Sequence, residues 1–314
     1  MAKKDGVTRG AGNPAPFPSP IPWLKRARVR EIFTAYFLIA PHMLALGIFT
    51  FFAMGFAFYL SFHRYDLLSP PVFIGIKNFT RIFTDPDFHI ALRNTLYYTA
   101  VVVPVQTALA LLYAVLLNQP VRFRAFFRAA FYAPSVTASI VISLIFIWLY
   151  AKEGIINYIL SRLGFHATID WLGNPSTALP AIMMMNIWST APTFMVIFLA
   201  ALQDIPDSLL EAAAIDGANA WQRFFKITLP LLRPSIFFVV VMGTIGCLQV
   251  FDQIYIMTRG GPLKSTMTLN YLIYTEAFEN FRMGYAAALS LILFLLIFLL
   301  TYIQKRYIDV EVQY

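Results

Sequence analysis

Gln249, Asp252 and Gln253 stand in an otherwise apolar run at i, i+3 and i+4, a spacing that places them on one stripe of a helix. A carboxylate and two amides offer the donors and acceptors that a polyhydroxylated solute such as a sugar requires. A second group, Ser189, Thr190 and Thr193, accompanies Asn186, Trp188 and Pro192 in another apolar run, with Ser189 and Thr193 on one face at i,i+4. Polar groups at such depth face a bundle interior or a water-filled path, because hydrocarbon cannot satisfy them. Each group has a blander alternative. The hydroxyls can bond to their own helix backbone, and Asp252 can be a solvated acid at an outer helix end. Neither group forms a nucleophile and base pair. His42, His63, His89 and His166 are scattered without an i,i+4 pair or a cysteine partner, so no metal site and no cofactor is expected. The single cysteine, Cys247, cannot form an internal disulfide and reads as packing.

The elements that must position these residues are membrane spans. With 59% hydrophobic and 13% charged residues, the 314-residue chain is too apolar for a soluble domain of average usage. Runs long enough to cross about 30 Å of hydrocarbon lie at roughly 34–61, 93–117, 129–150, 178–202, 234–257 and 283–304. They define an all-α polytopic membrane protein: a tail over 1–30 and a six-span domain over 31–314. Pro104 marks a kink in the second span. Ser135, Thr137 and Ser139 in the third can bond across helices or line a cavity, and Gly284 to Ala288 let the sixth approach a neighbour closely. Between the first two spans an outer loop of about thirty residues contains a turn at Asp85, Pro86 and Asp87, and a short amphipathic helix is expected at 153–162.

The formal charge of +8 is set by topology and implies no nucleic-acid partner. Seven Lys or Arg precede the first span, and Arg122, Arg124 and Arg128 mark the short loop after the second as cytoplasmic. Six spans from an inside N-terminus return Lys305 and Arg306 to the same side. The first thirty residues, rich in Pro with Lys25, Arg26, Arg28 and Arg30, have too little to bury and are expected to be irregular. The long apolar run after them, without a small-residue cleavage site, reads as a retained anchor.

One polar island, 203–233, separates the fourth and fifth spans. Ser208 and Glu211 have the spacing of a capping box, Gly217 suits the left-handed residue that ends a helix, and Asn219 and Gln222 can open a second helix that Pro230 disturbs. The result is a helix–turn–helix outside the bilayer.

This island, Glu211-Ala212-Ala213-Ala214-Ile215-Asp216-Gly217-Ala218 through Ile227-Thr228-Leu229-Pro230, resembles the signature loop of permease subunits of binding-protein-dependent ABC importers. Asn94-Thr95 and Tyr132-Ala133-Pro134 opening spans, Asn186-x-Trp188, and Thr258-x-Gly260-Gly261-Pro262 are similar to the carbohydrate-uptake branch, so that the resemblance covers nearly everything from about residue 34. It implies the type I permease fold, with the loop docking as a coupling helix on an ATPase through Glu211, Ala212, Ala213, Asp216, Gly217, Ala218, Phe224, Phe225, Leu229 and Pro230. Ser189, Thr190 and Thr193 then match positions that line the sugar site of the maltose permease subunit. Implied partners are a homologous second permease, two ATP-binding subunits, a soluble substrate-binding protein and the bilayer of the cytoplasmic membrane. The substrate reads as a sugar or oligosaccharide, with glycerol phosphate or its diesters as the runner-up.

No Gly-x-x-x-x-Gly-Lys-Ser/Thr loop occurs in the chain, so the sequence shows no ATPase site of its own. A secondary transporter would more often carry internal repeats and an intramembrane charge relay. A scaffold without transport would leave the polar groups of spans four and five unexplained. Topology is checked by labelling intact cells: single tags at 118–128 and 203–233 should be unreachable from outside, and tags near 75 or 265 reachable. Exterior labelling at position 124 would overturn the six-span arrangement.

Overall fold

The structure is a computed structural model that describes residues 22–119, 122–165 and 168–308. The tail up to residue 21, His166 and the C-terminal residues after 308 lie outside the described residues. Five helical stretches are long and apolar enough to cross a membrane: Val29–Ser61, Pro86–Asn118, Ala178–Gln203, Arg233–Met257 and Met283–Tyr307. A sixth span results if the bent pair Ala125–Val136 and Ser139–Leu149 counts as one.

Two compact units divide between Phe56 and Ala57. In the first, α1 (Pro22–Ala45) runs into a wide π-type turn, Leu46–Phe52. Residues 22–30, expected to be irregular, are therefore already helical. The large apolar side chains of this unit, including Phe33, Phe37, Phe49 and Phe52, stand exposed, as suits a helix solvated by hydrocarbon.

The second unit begins within α2 (Ala53–Ser61). A small antiparallel pairing of β1 (His63–Arg64) with β2 (Val72–Phe73) is added to the helical fold, and the buried Asn78 of α3 (Lys77–Thr84) donates to the Ser61 and His63 carbonyls at 2.9 and 3.0 Å. Asp85, Pro86 and Asp87 are not a free turn. They start α4 (Pro86–Asn118): the Asp85 carboxylate accepts the Asp87 N–H at 2.9 Å, and Pro86 occupies a first-turn position where its missing N–H costs nothing.

The second span thus starts a full two turns before Asn94 and Thr95. These two residues instead hold a distant loop. Asn94 Nδ2 donates to the Lys264 and Met267 carbonyls, both at 3.0 Å, and the Leu269 N–H donates to Thr95 Oγ1 at 2.9 Å. Along α4, Phe88, Ala91, Thr95, Tyr98, Val102, Gln106, Ala110 and Ala114 form a buried stripe at helical spacing. The stripe packs along α8 (Ala178–Gln203) and on α12 (Arg233–Leu248).

The third span is not a continuous helix. α5 (Arg124–Val136) and α6 (Ser139–Leu149) meet at 95° through an extended Thr137 and Ala138. The break follows Pro134, which lies inside α5 with two further helical residues after it. Ser135 and Thr137 bond back to the Tyr132 and Ala133 carbonyls at 2.8 and 3.2 Å and make no bond across helices. The amphipathic helix expected after this span is α7 (Ile155–Arg162).

The last spanning helix, Met283–Ile308, packs on β1 through a glycine. At Gly284, a Cβ would lie 1.9 Å from the His63 carbonyl oxygen, so nothing larger fits without moving backbone. Overpacking of this kind costs about 1–3 kcal/mol. Gly284→Ala is expected to lower the unfolding temperature of the detergent-purified protein by several degrees. Gly246→Ala, where a Cβ meets nothing within 4 Å, should not; equal effects of the two would contradict the packing described.

Candidate functional site

The fifth span breaks where the polar stripe was expected. α12 ends at Leu248, Gln249 caps it, Phe251 adopts φ −140° and ψ −59°, and α13 starts at Asp252 and runs to Met257. Gln249, Asp252 and Gln253 consequently do not share one helix face. The carbonyls freed by the break are met from the following segment: Thr268 Oγ1 donates to Val250 O at 3.2 Å, and Asn270 Nδ2 donates to Gln249 O at 2.8 Å. Side chains that repair a helix break in this way fix its geometry.

Beside the break lies a cavity of about 260 Å³, lined by Gln106 of α4, Asn186, Thr190, Thr193 and Phe194 of α8, Met242, Gly243, Gly246 and Cys247 of α12, and Gln253 of α13. Of the six residues singled out for solute binding, the fold brings Thr190, Thr193 and Gln253 to this cavity. Ser189 does not line it and bonds back to Asn186 O at 3.1 Å. Gln249 and Asp252 are exposed beside the break. The sequence reading missed Gln106, although a lone amide deep in an apolar span was a visible signal. Among the described residues no Lys, Arg, Asp or Glu lines the cavity, so the chemistry they offer is that of neutral donors and acceptors.

A second polar region is the helix–turn–helix. α9 spans Asp207–Ile215 with Pro206 as its cap, so Ser208 lies inside the first turn and makes no capping box; Asp207 supplies the acidic first-turn charge instead. The glycine turn forms as the residue type dictates. Gly217 has φ +82°, the Ala218 N–H bonds Ala213 O at 2.9 Å and the Gly217 N–H bonds Ala214 O at 3.1 Å, the two bonds of a Schellman motif.

The next helix opens on a complete capping box: Asn219 and Gln222 exchange two bonds of 2.9 Å. Pro230 does not end it. α10 (Ala220–Arg223) continues through a π-type turn, Phe224–Thr228, into α11 (Leu229–Leu231), and the wider turn upstream accommodates the proline. Glu211, Ala212, Asp216, Gly217 and Phe225 are exposed, Ala213 is buried, and Ala218, Phe224, Leu229 and Pro230 are half-buried. Two exposed apolar residues not singled out from sequence join them: Ile215, and Trp221, which stacks on Phe225 with ring centroids 5.7 Å apart.

Residues 106–309 match the family described as the inner membrane component of binding-protein-dependent transport systems. The chain belongs to this family. The permease is 37% identical over 289 residues to the sulfoquinovosyl glycerol transport system permease protein SmoG of Agrobacterium fabrum, covering 91% of this chain and 94% of the relative. It is 37% identical over 237 residues to the lactose transport system permease protein LacF of Rhizobium radiobacter, covering 74% and 80%. Its fold matches a chain in the crystal structure of a bacterial alginate ABC transporter in complex with alginate pentasaccharide-bound periplasmic protein, with a TM-score of 0.78 at 21% identity over 89% of this chain and 95% of that one. The permease is thus a multi-pass membrane protein and a transport subunit.

Placement separates the two glutamines by consequence. Loss of a neutral hydrogen bond costs about 0.5–1.5 kcal/mol. Gln253→Ala is therefore expected to slow uptake by the assembled transporter severalfold, and Gln249→Ala to leave it within about twofold. Equal losses in uptake assays on proteoliposomes would show that the cavity is not the solute path.

Proposed function

We propose that this permease is one half of the membrane domain of an ATP-driven importer that moves a sugar or oligosaccharide across the cytoplasmic membrane by alternating access. The observation that carries the reading is the neutral, hydrogen-bonding cavity where α4, α8, α12 and α13 converge. Sugars offer hydroxyls to amides and other hydroxyls and need no counter-charge. The name of the lactose relative supports the same class. Glycerol phosphate, the runner-up from the sequence, is the second reading; its phosphate would meet no cation among the described lining residues.

In this reading both termini and the segment 203–233 face the cytoplasm. A soluble binding protein delivers substrate to the opposite side, a homologous permease forms the other wall of the path, and two separate ATP-binding subunits hydrolyse ATP. Glu211, Ala212, Ala213, Asp216, Gly217, Ala218, Phe224, Phe225, Leu229 and Pro230 form the docking piece. Thr190, Thr193 and Gln253 serve the solute; Ser189, Gln249 and Asp252 lie one step removed from it. The Glu211 carboxylate is exposed and makes no bond among the described residues, which leaves it free for a polar partner. Closure of the ATPases pushes the helix–turn–helix, and because α11 runs directly into α12, the push reaches the helix that lines the cavity.

Gly217 tests the coupling. A β-branched residue is strained at φ +82°, so Gly217→Val should set α9 and α10 at the wrong angle. In the purified complex, expected results are retained ATPase subunits, basal hydrolysis near wild type, and loss of both uptake and stimulation by loaded binding protein. Normal stimulated hydrolysis with normal uptake would remove this loop from the transmission.

A further inference from the structure

Gln106 is 1% exposed, at the point where α4 faces both α8 and α12. One end of its amide is tied to α8, with Thr190 Oγ1 2.8 Å from Gln106 Oε1. The same hydroxyl lies 2.7 Å from Asn186 O. A hydroxyl has one proton, so it serves only one of these acceptors at a time. Either Thr190 donates to the Gln106 carbonyl, or the amide is turned, donates to Thr190, and leaves the hydroxyl proton to Asn186.

With Thr190 as the donor, the far end of the amide, Nε2, has no partner among the described residues. That end sits over Gly243, where a Cβ would lie 2.5 Å from Nε2. Any residue larger than glycine at 243 would push the amide away from its place. Buried polar groups are nearly always paired, and leaving one unpaired is costly, so a buried, unpaired end on a residue that lines a polar cavity marks a place kept for a ligand.

We propose that Gln106 is a specificity-determining residue of this transporter: its free amide end, held by Thr190 and given room by Gly243, bonds one hydroxyl of the transported saccharide. The proposal rests on the sugar reading above. Thr193, Asn186 and Gln253 line the same cavity and are placed to take further hydroxyls of that ring, while Gln106 is anchored at one end and unpaired at the other. Sites built to bond a hydroxyl reject the analogue that lacks it more strongly than apolar sites reject a missing methylene.

The assembled importer in proteoliposomes is assayed for uptake of lactose, maltose and trehalose, then of monodeoxy derivatives of whichever sugar the wild type carries. Gln106→Leu should lower kcat/KM for the parent sugar about tenfold. One monodeoxy sugar, poor for the wild type, should be carried equally well by wild type and variant. Gly243→Ala should reproduce this loss with the amide still present. A uniform loss across all deoxy sugars, or no loss, overturns the proposal.

A second measurement needs no sugar. Thr190 retains Asn186 O when Gln106 is removed, so Gln106→Leu in the detergent-purified complex should unfold no lower than wild type. A drop of several degrees would make Gln106 a structural tie and overturn the proposal whatever the uptake shows. If the wild type carries none of the three sugars, the sugar reading falls, and the unfolding measurement still supports or overturns Gln106 as an amide held for a ligand.

Discussion

Hydrocarbon offers no hydrogen bonds, so every backbone carbonyl or N–H released inside a span must be satisfied by the protein itself. This constraint shapes the proposed solute site. A helix break at residues 249–251 frees carbonyls in the fifth span, and Thr268 and Asn270 supply the donors that meet them. Those two side chains are in turn held by α4: Leu269, between them, donates its N–H to Thr95, and the loop just before them is held through Asn94. A single network therefore runs from the second span through the loop after the fifth to the break that turns Gln253 toward the cavity.

The same constraint decides which polar groups the cavity holds. A charged side chain at mid-span costs about 2.5–3.5 kcal/mol by insertion scales, whereas amides and hydroxyls can be tied at one end and still present the other. Thr190 shows the economy of this, because its hydroxyl lies within bonding distance of both its own helix and Gln106. Small residues complete the arrangement. Gly243 makes room for the amide of Gln106, and Gly246 lines the cavity beside it.

Legibility in the sequence followed the range of the interactions. Apolar run length located the spans, and local chemistry located the glycine turn and the Asn219 capping box, because each depends on neighbours a few residues apart. Ser208 misled, since its spacing to Glu211 was right but Pro206 ended the extended chain first and started the helix two residues early. The stripe of Gln249, Asp252 and Gln253 misled for a different reason. Its helical spacing assumed a continuous fifth span, and the break is stabilised by Thr268 and Asn270, donors that no local pattern connects to it. Gln106 was passed over because a single amide in an apolar run has no periodicity. Its meaning appears only when α8 and α12 are placed against it.

The helix–turn–helix and the cavity are built on opposite principles. In the loop, the Schellman bonds close the end of α9 and the reciprocal Asn219 and Gln222 bonds close the start of α10, with no residue between the two motifs. Few torsions are left free there, so in the proposed coupling the pair would move as one piece. In the cavity, by contrast, the amide of Gln106 is only half satisfied, and the span beside it is already broken. In the proposed coupling, a push carried by α10 and α11 into α12 would pass the close contact of Gly243 with Gln106 and reach Gly246, where a Cβ would meet nothing within 4 Å. Stiffness where force would enter and unfilled polar capacity at the proposed solute site would together let a displacement outside the bilayer change which hydrogen bonds the cavity can offer.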